Sequence, residues 1–307
     1  MATCTRIRHM NAWSGLRGLV CPMVTPFNAK GHVDSAITQQ LVDFLLSHGV
    51  HAIFAGGTTG EGMLLRLEER RALCEMVVEH VAGRAPVIVH TGCITTADTI
   101  DLTRHAQAVG ATAASIIVPY FYTLDDQSLF THFVSVAQAV SAYPLFLYTF
   151  TSNAKNGISP ALLERLRSAA PNIVGIKSSN PDLLEFQQYI EVGGEGFTAL
   201  CGVDALMLPA LALGAHGQVS GNSNAFPEPF RALYDAVTAG DLDQARSKQQ
   251  LIRRICQVLK DGLHPAYFKA VLTLRGIPAG CVRSPMRELT VGERRELERG
   301  IRELDLL

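Results

Sequence analysis

The feature that most constrains this chain is a recurrence. From Gly18 onward, short runs rich in Val and Ile alternate with longer segments of helical periodicity. Eight runs read as strands: 18–24, 51–55, 86–90, 113–118, 145–148, 173–177, 197–200 and 217–220. They recur every roughly 20 to 35 residues, which leaves room for the crossover of a dozen or more residues that parallel neighbours require. The intervening helices carry start and stop signals, such as Asp34-Ser35 with Gly49 as terminator, and Ser159-Pro160. Eight βα units ending near Ala239 predict a (β/α)8 TIM barrel over 18–239. The count disfavours a doubly wound open sheet, which has five or six strands. Residues 1–17 read as a lead-in to the first strand, and 240–307 as a polar, C-terminal helical extension.

Composition excludes several classes. The 307 residues hold 27 Lys and Arg against 28 Asp and Glu, a formal net charge of −1, which argues against a basic nucleic-acid binder or an acidic tail. With 48% apolar and 18% charged residues the chain builds a sizeable core. Seven cysteines, an odd number without C-x-x-C spacing, argue against a disulfide framework or a zinc ribbon. No stretch approaches the roughly 20 apolar residues of a membrane span; the nearest, 205–215, is broken by Pro209. The N-terminus lacks the apolar region of a secretory signal, a weak organellar transit segment stays open, and the expected location is cytoplasmic.

In a barrel the chemistry sits at the C-terminal strand ends. Lysine is scarce here, and Lys177 closes the apolar run Asn172-Ile-Val-Gly-Ile-Lys177. A lysine desolvated among apolar walls has a lowered pKa and forms imines with ketones. The plainer reading is a strand-end lysine that reaches out to water. After the second strand, Gly56-Gly-Thr-Thr-Gly-Glu-Gly62 sets four glycines around two hydroxyls, so its amides can form an anion nest for a carboxylate or phosphate. It has neither the P-loop lysine nor the dinucleotide spacing. A tight strand-to-helix turn explains the loop about as well. Tyr148 ends the fifth strand, either as a proton relay or as a cap with its hydroxyl in water. An amine, a phenol and an anion nest together are the parts of a Schiff-base lyase.

Thr25-Pro26-Phe27, Gly57-Thr-Thr-Gly-Glu61, Leu147-Tyr148 and Gly175-Ile-Lys177 together resemble the dihydrodipicolinate synthase and N-acetylneuraminate lyase superfamily of pyruvate-dependent class I aldolases. The resemblance implies a homotetramer built from dimers, with neither metal nor cofactor. It implies that Lys177 is the Schiff-base lysine, that Tyr148 shuttles protons, and that Thr58 joins the relay. By the same resemblance Gly57 and Thr59 belong to the loop that binds the 2-oxo acid carboxylate. Val219 lies beside bound pyruvate, and Gly202 and Asp204 lie near the distal part of the substrate.

Two departures bear on which member this is. The synthase pattern Y-N-V-P-x-R-T-G carries an arginine for the second substrate; here that position falls on Asn153 or Lys155, depending on the end from which the stretch is aligned. Neither offers a bidentate fork. A relay tyrosine contributed across the dimer interface becomes Phe121, in Pro119-Tyr-Phe-Tyr122. Elsewhere, His48 and His51 straddle a helix end and a strand start and do not suit a metal. Cys93 and Cys201 read as small apolar fillers, and Glu61 as a cap or loop partner. The expected activity is imine-based C–C cleavage or formation on pyruvate or a 2-keto-3-deoxy acid with an aldehyde or sugar-acid substrate. Alternatives are a sugar-acid dehydratase, dihydrodipicolinate synthesis, and a non-catalytic 2-oxo acid binding protein.

Overall fold

The structure, a computed structural model, describes residues 16–262 and 264–307, so most of the expected lead-in lies outside it. Eight strands form: β1 (Gly18–Pro22), β2 (Ala52–Ala55), β3 (Val87–His90), β4 (Ala113–Ile117), β5 (Leu145–Thr149), β6 (Ile173–Ser178), β7 (Thr198–Cys201) and β8 (Gly217–Val219). All pair in parallel in sequence order, and β8 returns to β1 through Gly18 opposite Gly217 and Val20 opposite Val219. This is a closed TIM barrel, not an open sheet. Strands covered by side chains inside and helices outside have no face for water, which is why their sequences are nearly continuous apolar runs.

The covering helices are α1 (Ser35–Ser47), α2 (Leu67–Val81), α3 (Thr96–Ala108), α4 (Asp126–Ala139), a single extra turn α5 (Thr151–Ala154), α6 (Pro160–Ala169), α7 (Leu183–Gly193), α8 (Met207–Ala212) and α9 (Pro227–Thr238). Their starts follow the sequence signals. Asp34 accepts from the Ile37 amide and Ser159 from the Leu162 amide, caps worth about 1 kcal/mol each. Inside the barrel, Val20, Phe54, Ile88, Phe146, Leu200 and Val219 fill the axis. A larger apolar layer lies between strands and helices.

Beyond the barrel follow α10 (Leu242–Val258), α11 (Pro265–Leu274) and α12 (Val291–Glu303). This segment is less polar than its composition suggests. Pro265 to Leu272 of α11 are all buried, and α10 lays Ile252 and Ile255 into the core. Gln249 of α10 accepts from the Leu208 amide at 2.8 Å and donates to the Asp204 carbonyl at 3.0 Å, fastening the segment to the loop after β7.

The outer layer also holds a buried histidine. His132 of α4 places Nδ1 2.9 Å from Thr96 Oγ1 at the start of α3, while its Nε2 is buried without a partner among the described residues. Burial lowers its pKa from 6.5 to about 4. Between those values the unfolded chain binds a proton that the folded chain does not. Stability therefore falls by ~3 kcal/mol as the pH drops from above 6.5 to below 4. Replacing His132 with Gln should flatten that part of a stability–pH curve measured by urea unfolding. Parallel curves for the two proteins would refute the assignment.

Candidate active site

Lys177 stands next to last in β6, directly beside Tyr148 of β5 in the ladder. Its side chain reaches inward and is 7% exposed. The amine lies 4.0 Å from the Tyr148 ring centroid and 5.1 Å from that of Phe54, enclosed by aromatic faces. Gly202 makes this possible, because a Cβ there would press on the Ser179 hydroxyl and sit 3.2 Å from Lys177 Cε. The lysine is therefore held inside the barrel mouth and does not swing out to water.

The Tyr148 ring is buried and stacks on Phe150, centroids 6.4 Å apart. Its hydroxyl lies 3.4 Å from Thr58 Oγ1, a long contact that a small movement would tighten. Thr58 is exposed at the lip of the loop between β2 and α2. That loop folds back on itself through the Glu61 amide to the Thr58 carbonyl and the Gly62 amide to the Gly57 carbonyl. Gly62 is obligatory, since any Cβ would overlap the Gly56 carbonyl. Thr25 Oγ1 secures the turn from below by donating to the Gly60 carbonyl at 2.6 Å. Among the described residues nothing accepts from the Thr58 and Thr59 amides, as a carboxylate-binding nest requires.

The family model for the dihydrodipicolinate synthetase family matches residues 15–304. The chain belongs to this family. A 4-hydroxy-tetrahydrodipicolinate synthase of Thermus thermophilus is 36% identical over 261 residues, covering 85% of this chain and 87% of that protein. An uncharacterized DapA-like lyase of Halobacterium salinarum is 36% identical over 95% of each chain. Among solved structures, the prophage protein YagE of E. coli K12 in complex with pyruvate superposes with a TM-score of 0.90 at 31% identity, covering 95% of this chain and 99% of that one. This chain is thus an enzyme of the lyase class, of the class I aldolase type.

Against that family background, Asp204 is tied down. Its carboxylate accepts from Gln218 Nε2 at 2.7 Å, Ser220 Oγ at 2.8 Å and Asn222 Nδ2 at 2.7 Å. Burial raises its pKa, and the three hydrogen bonds and nearby Lys177 oppose the rise. The carboxylate holds the strand end that carries Val219, which itself lines the space beneath Lys177. Cys201 is buried with its thiol pushed up to about 12, and burial likewise raises the Cys93 thiol. His51 and His48 serve the backbone: His51 Nδ1 accepts from the Leu19 amide, and His48 Nδ1 lies 2.7 Å from the Phe44 carbonyl.

Asn153 and Lys155 are both exposed around α5, apart from the buried cluster, and Lys155 has φ +65°. Phe121 is 71% exposed at φ +79°, a conformation that costs a bulky residue about 1–3 kcal/mol. The buried Asn156 enforces it. Its amide donates to the carbonyls of Pro119 and Tyr122, both at 2.7 Å, and its oxygen accepts from the Leu124 amide. Sequence reasoning missed Asn156; an asparagine just ahead of Gly157 was the available signal.

It also missed what holds the glycine–threonine loop. Glu61, at φ +56°, accepts from Lys269 Nζ of α11 and from the Arg283 amide, both at 2.7 Å. Lys269 donates as well to the Cys281 carbonyl, and the Arg283 guanidinium forks onto Glu69 at 2.7 and 2.8 Å. Both cations lie over the Phe27 ring, at 4.3 and 4.5 Å. Glu61 is thus a loop partner, as its position suggested, and the C-terminal segment supplies the charge. Lys269→Met should destabilise the protein by about 3–5 kcal/mol, because it strands a buried carboxylate. Adding Glu61→Gln should recover part of that loss in urea unfolding. Additive losses would show that the two do not act as a pair.

Proposed function

We propose that the amine of Lys177 attacks the C2 carbonyl of pyruvate or a 2-keto-3-deoxy acid, expels water and forms an imine. As water departs, Tyr148 gives its phenol proton to the leaving hydroxyl, so the imine is protonated and the phenolate remains; in the cleavage direction that phenolate takes the proton from the C4 hydroxyl. The O–H pair becomes the C4 carbonyl, the C3–C4 bond breaks, and its electrons flow into the imine to leave an enamine. Tyr148 then protonates C3, and water releases pyruvate and restores the amine. Synthesis runs the same steps backwards. The imine is the electron sink, so this chemistry calls for no metal or organic cofactor.

The observation that carries the reading is the buried amine over the Tyr148 ring, with the phenol within reach of the Thr58 hydroxyl. The carboxylate of the 2-oxo acid is assigned to Gly57, Thr58 and Thr59, its methyl side to Val219, and the distal end to Gly202, Asp204, Asn153 and Lys155. A dehydratase would use the same enamine to expel a hydroxide. Dihydrodipicolinate synthesis ranks lower, since Asn153 and Lys155 lack the guanidinium fork that suits a second carboxylate. A homotetramer made of two dimers, working in the cytoplasm, completes the proposal.

Incubation with pyruvate and borohydride should leave a reduced pyruvyl adduct on Lys177, located by peptide mass spectrometry. Lys177→Ala should lose both adduct and turnover. Tyr148→Phe should keep the adduct and lose about 10²–10⁴ in kcat. An active Lys177→Ala protein would overturn the proposal. Pyruvate binding without turnover across a broad panel of aldehydes and sugar acids would overturn it as well.

A further inference from the structure

One buried pair at the barrel mouth has no part in the chemistry described so far. His90 ends β3, two residues beyond Ile88, whose side chain fills the barrel axis. Alternate residues of a strand share a face, so the imidazole also points inward, one step nearer the mouth. Its ring is edge-on to Phe54 and to Tyr148, with both centroid distances 6.2 Å. Those are the two rings that enclose the Lys177 amine.

Arg70 of α2 fixes the orientation of this ring. One guanidinium nitrogen lies 3.0 Å from His90 Nδ1 and 2.8 Å from the His90 carbonyl. The other donates to the Gly92 carbonyl at 3.1 Å and to Cys93 Sγ at 3.2 Å. A guanidinium has donors only, so Nδ1 must accept and the ring proton must sit on Nε2. Burial, with Arg70 and Lys177 nearby, keeps the imidazole neutral. The result is a rigid, neutral N–H donor in an otherwise apolar wall. Opposite His90 in the ladder, the Ser115 hydroxyl is buried without a partner among the described residues and lines the space beneath Lys177. This side of the barrel therefore carries polar groups that the fold leaves unused, and an unused buried polar group calls for an explanation.

Resting on the imine reading above, we propose that His90 Nε2–H recognises the C4 oxygen of a 4-hydroxy-2-oxo acid, with Arg70 as its positioning residue. The same donor serves the carbonyl oxygen of the aldehyde from which that acid is made. The 2-oxo acid carboxylate goes to the Thr58–Thr59 loop and C2 to Lys177, so the C4 oxygen is the next polar atom along the chain. Phe54, Ile88 and Phe146 offer it no hydrogen. His90 donates a hydrogen bond and transfers no proton; Tyr148 remains the acid and base. The donor holds the oxygen while its charge changes, which raises selectivity for substrates that carry it.

The test compares borohydride trapping of 4-hydroxy-2-oxopentanoate and 2-oxopentanoate over a range of concentrations. The unaltered protein should reach half-saturation with the hydroxy acid at about tenfold lower concentration, the value of one hydrogen bond. His90→Phe should lose that preference, read as the ratio of the two half-saturation concentrations within the variant so that any general change in trapping cancels, and His90→Gln, which keeps an N–H donor of similar reach, should retain part of it. In ¹⁵N spectra of the unaltered protein, Nδ1 should be pyridine-like and Nε2 pyrrole-like, and Arg70→Met should mix the two forms. No preference in the unaltered protein, equal preference in His90→Phe, or a proton on Nδ1 would each overturn the proposal. Failure of the imine reading looks different, as no pyruvate adduct forms at all.

Discussion

An amine kept at the inner end of a strand, away from water and faced by aromatic rings, is the constraint on which the rest of this molecule turns. Lysine normally escapes such a place by extending its stem to solvent. Here β6 ends with Lys177 aimed inward, Gly202 leaves space for the stem, and the Tyr148 and Phe54 rings close around the amine. Closure of the sheet makes this possible, since an inward side chain of an open sheet would meet a helix. In the closed barrel it meets the C-terminal mouth.

The charges around the mouth fall into two separate groups. Lys269 and Arg283 are answered by Glu61 and Glu69, and each contact ends in a hydrogen bond. That cluster determines the shape of the glycine–threonine loop without entering it. Arg70 is different: it donates to carbonyls, a thiol and an imidazole, and among the described residues it has no carboxylate partner. With Lys177 it makes the inner wall electropositive, the sign a 2-oxo acid requires. Asp204 is the carboxylate whose field reaches Lys177, and its oxygens are occupied by Gln218, Ser220 and Asn222.

The parts of this arrangement differ in how legible they were. The strands ended within a residue or two of expectation because two-sided burial writes itself into sequence as unbroken apolar runs. Lys177, Tyr148 and the glycine–threonine loop were legible for the same reason: each is a polar residue type at the point where such a run stops. The partners of these residues were not. Glu61 finds Lys269 at a separation of 208 residues, and no local pattern reports so distant a pairing. His90 looked like part of a strand, because its role depends on Arg70 arriving from a helix. The C-terminal segment was read as polar because the runs that form α10 and α12 are; the buried face of α11 shows only once the barrel is in place to cover it.

This difference separates two kinds of specificity. The groups proposed to act on C1 and C2 of a 2-oxo acid lie on strand ends and on a loop locked by a buried ion pair, so they are rigid before substrate arrives. Phe121, Tyr122, Asn153 and Lys155 lie on exposed loops and have freedom to take up different partners. Between them stands His90, as buried as the first group, its Nδ1 held by Arg70 and its Nε2 without a partner among the described residues. A donor so enclosed discriminates by what it refuses, since a substrate without an acceptor there leaves it unpaired at a cost of about 1–3 kcal/mol. The first choice of substrate is then made inside the barrel, at the atom next to the bond that breaks, before the outer loops act on the distal end.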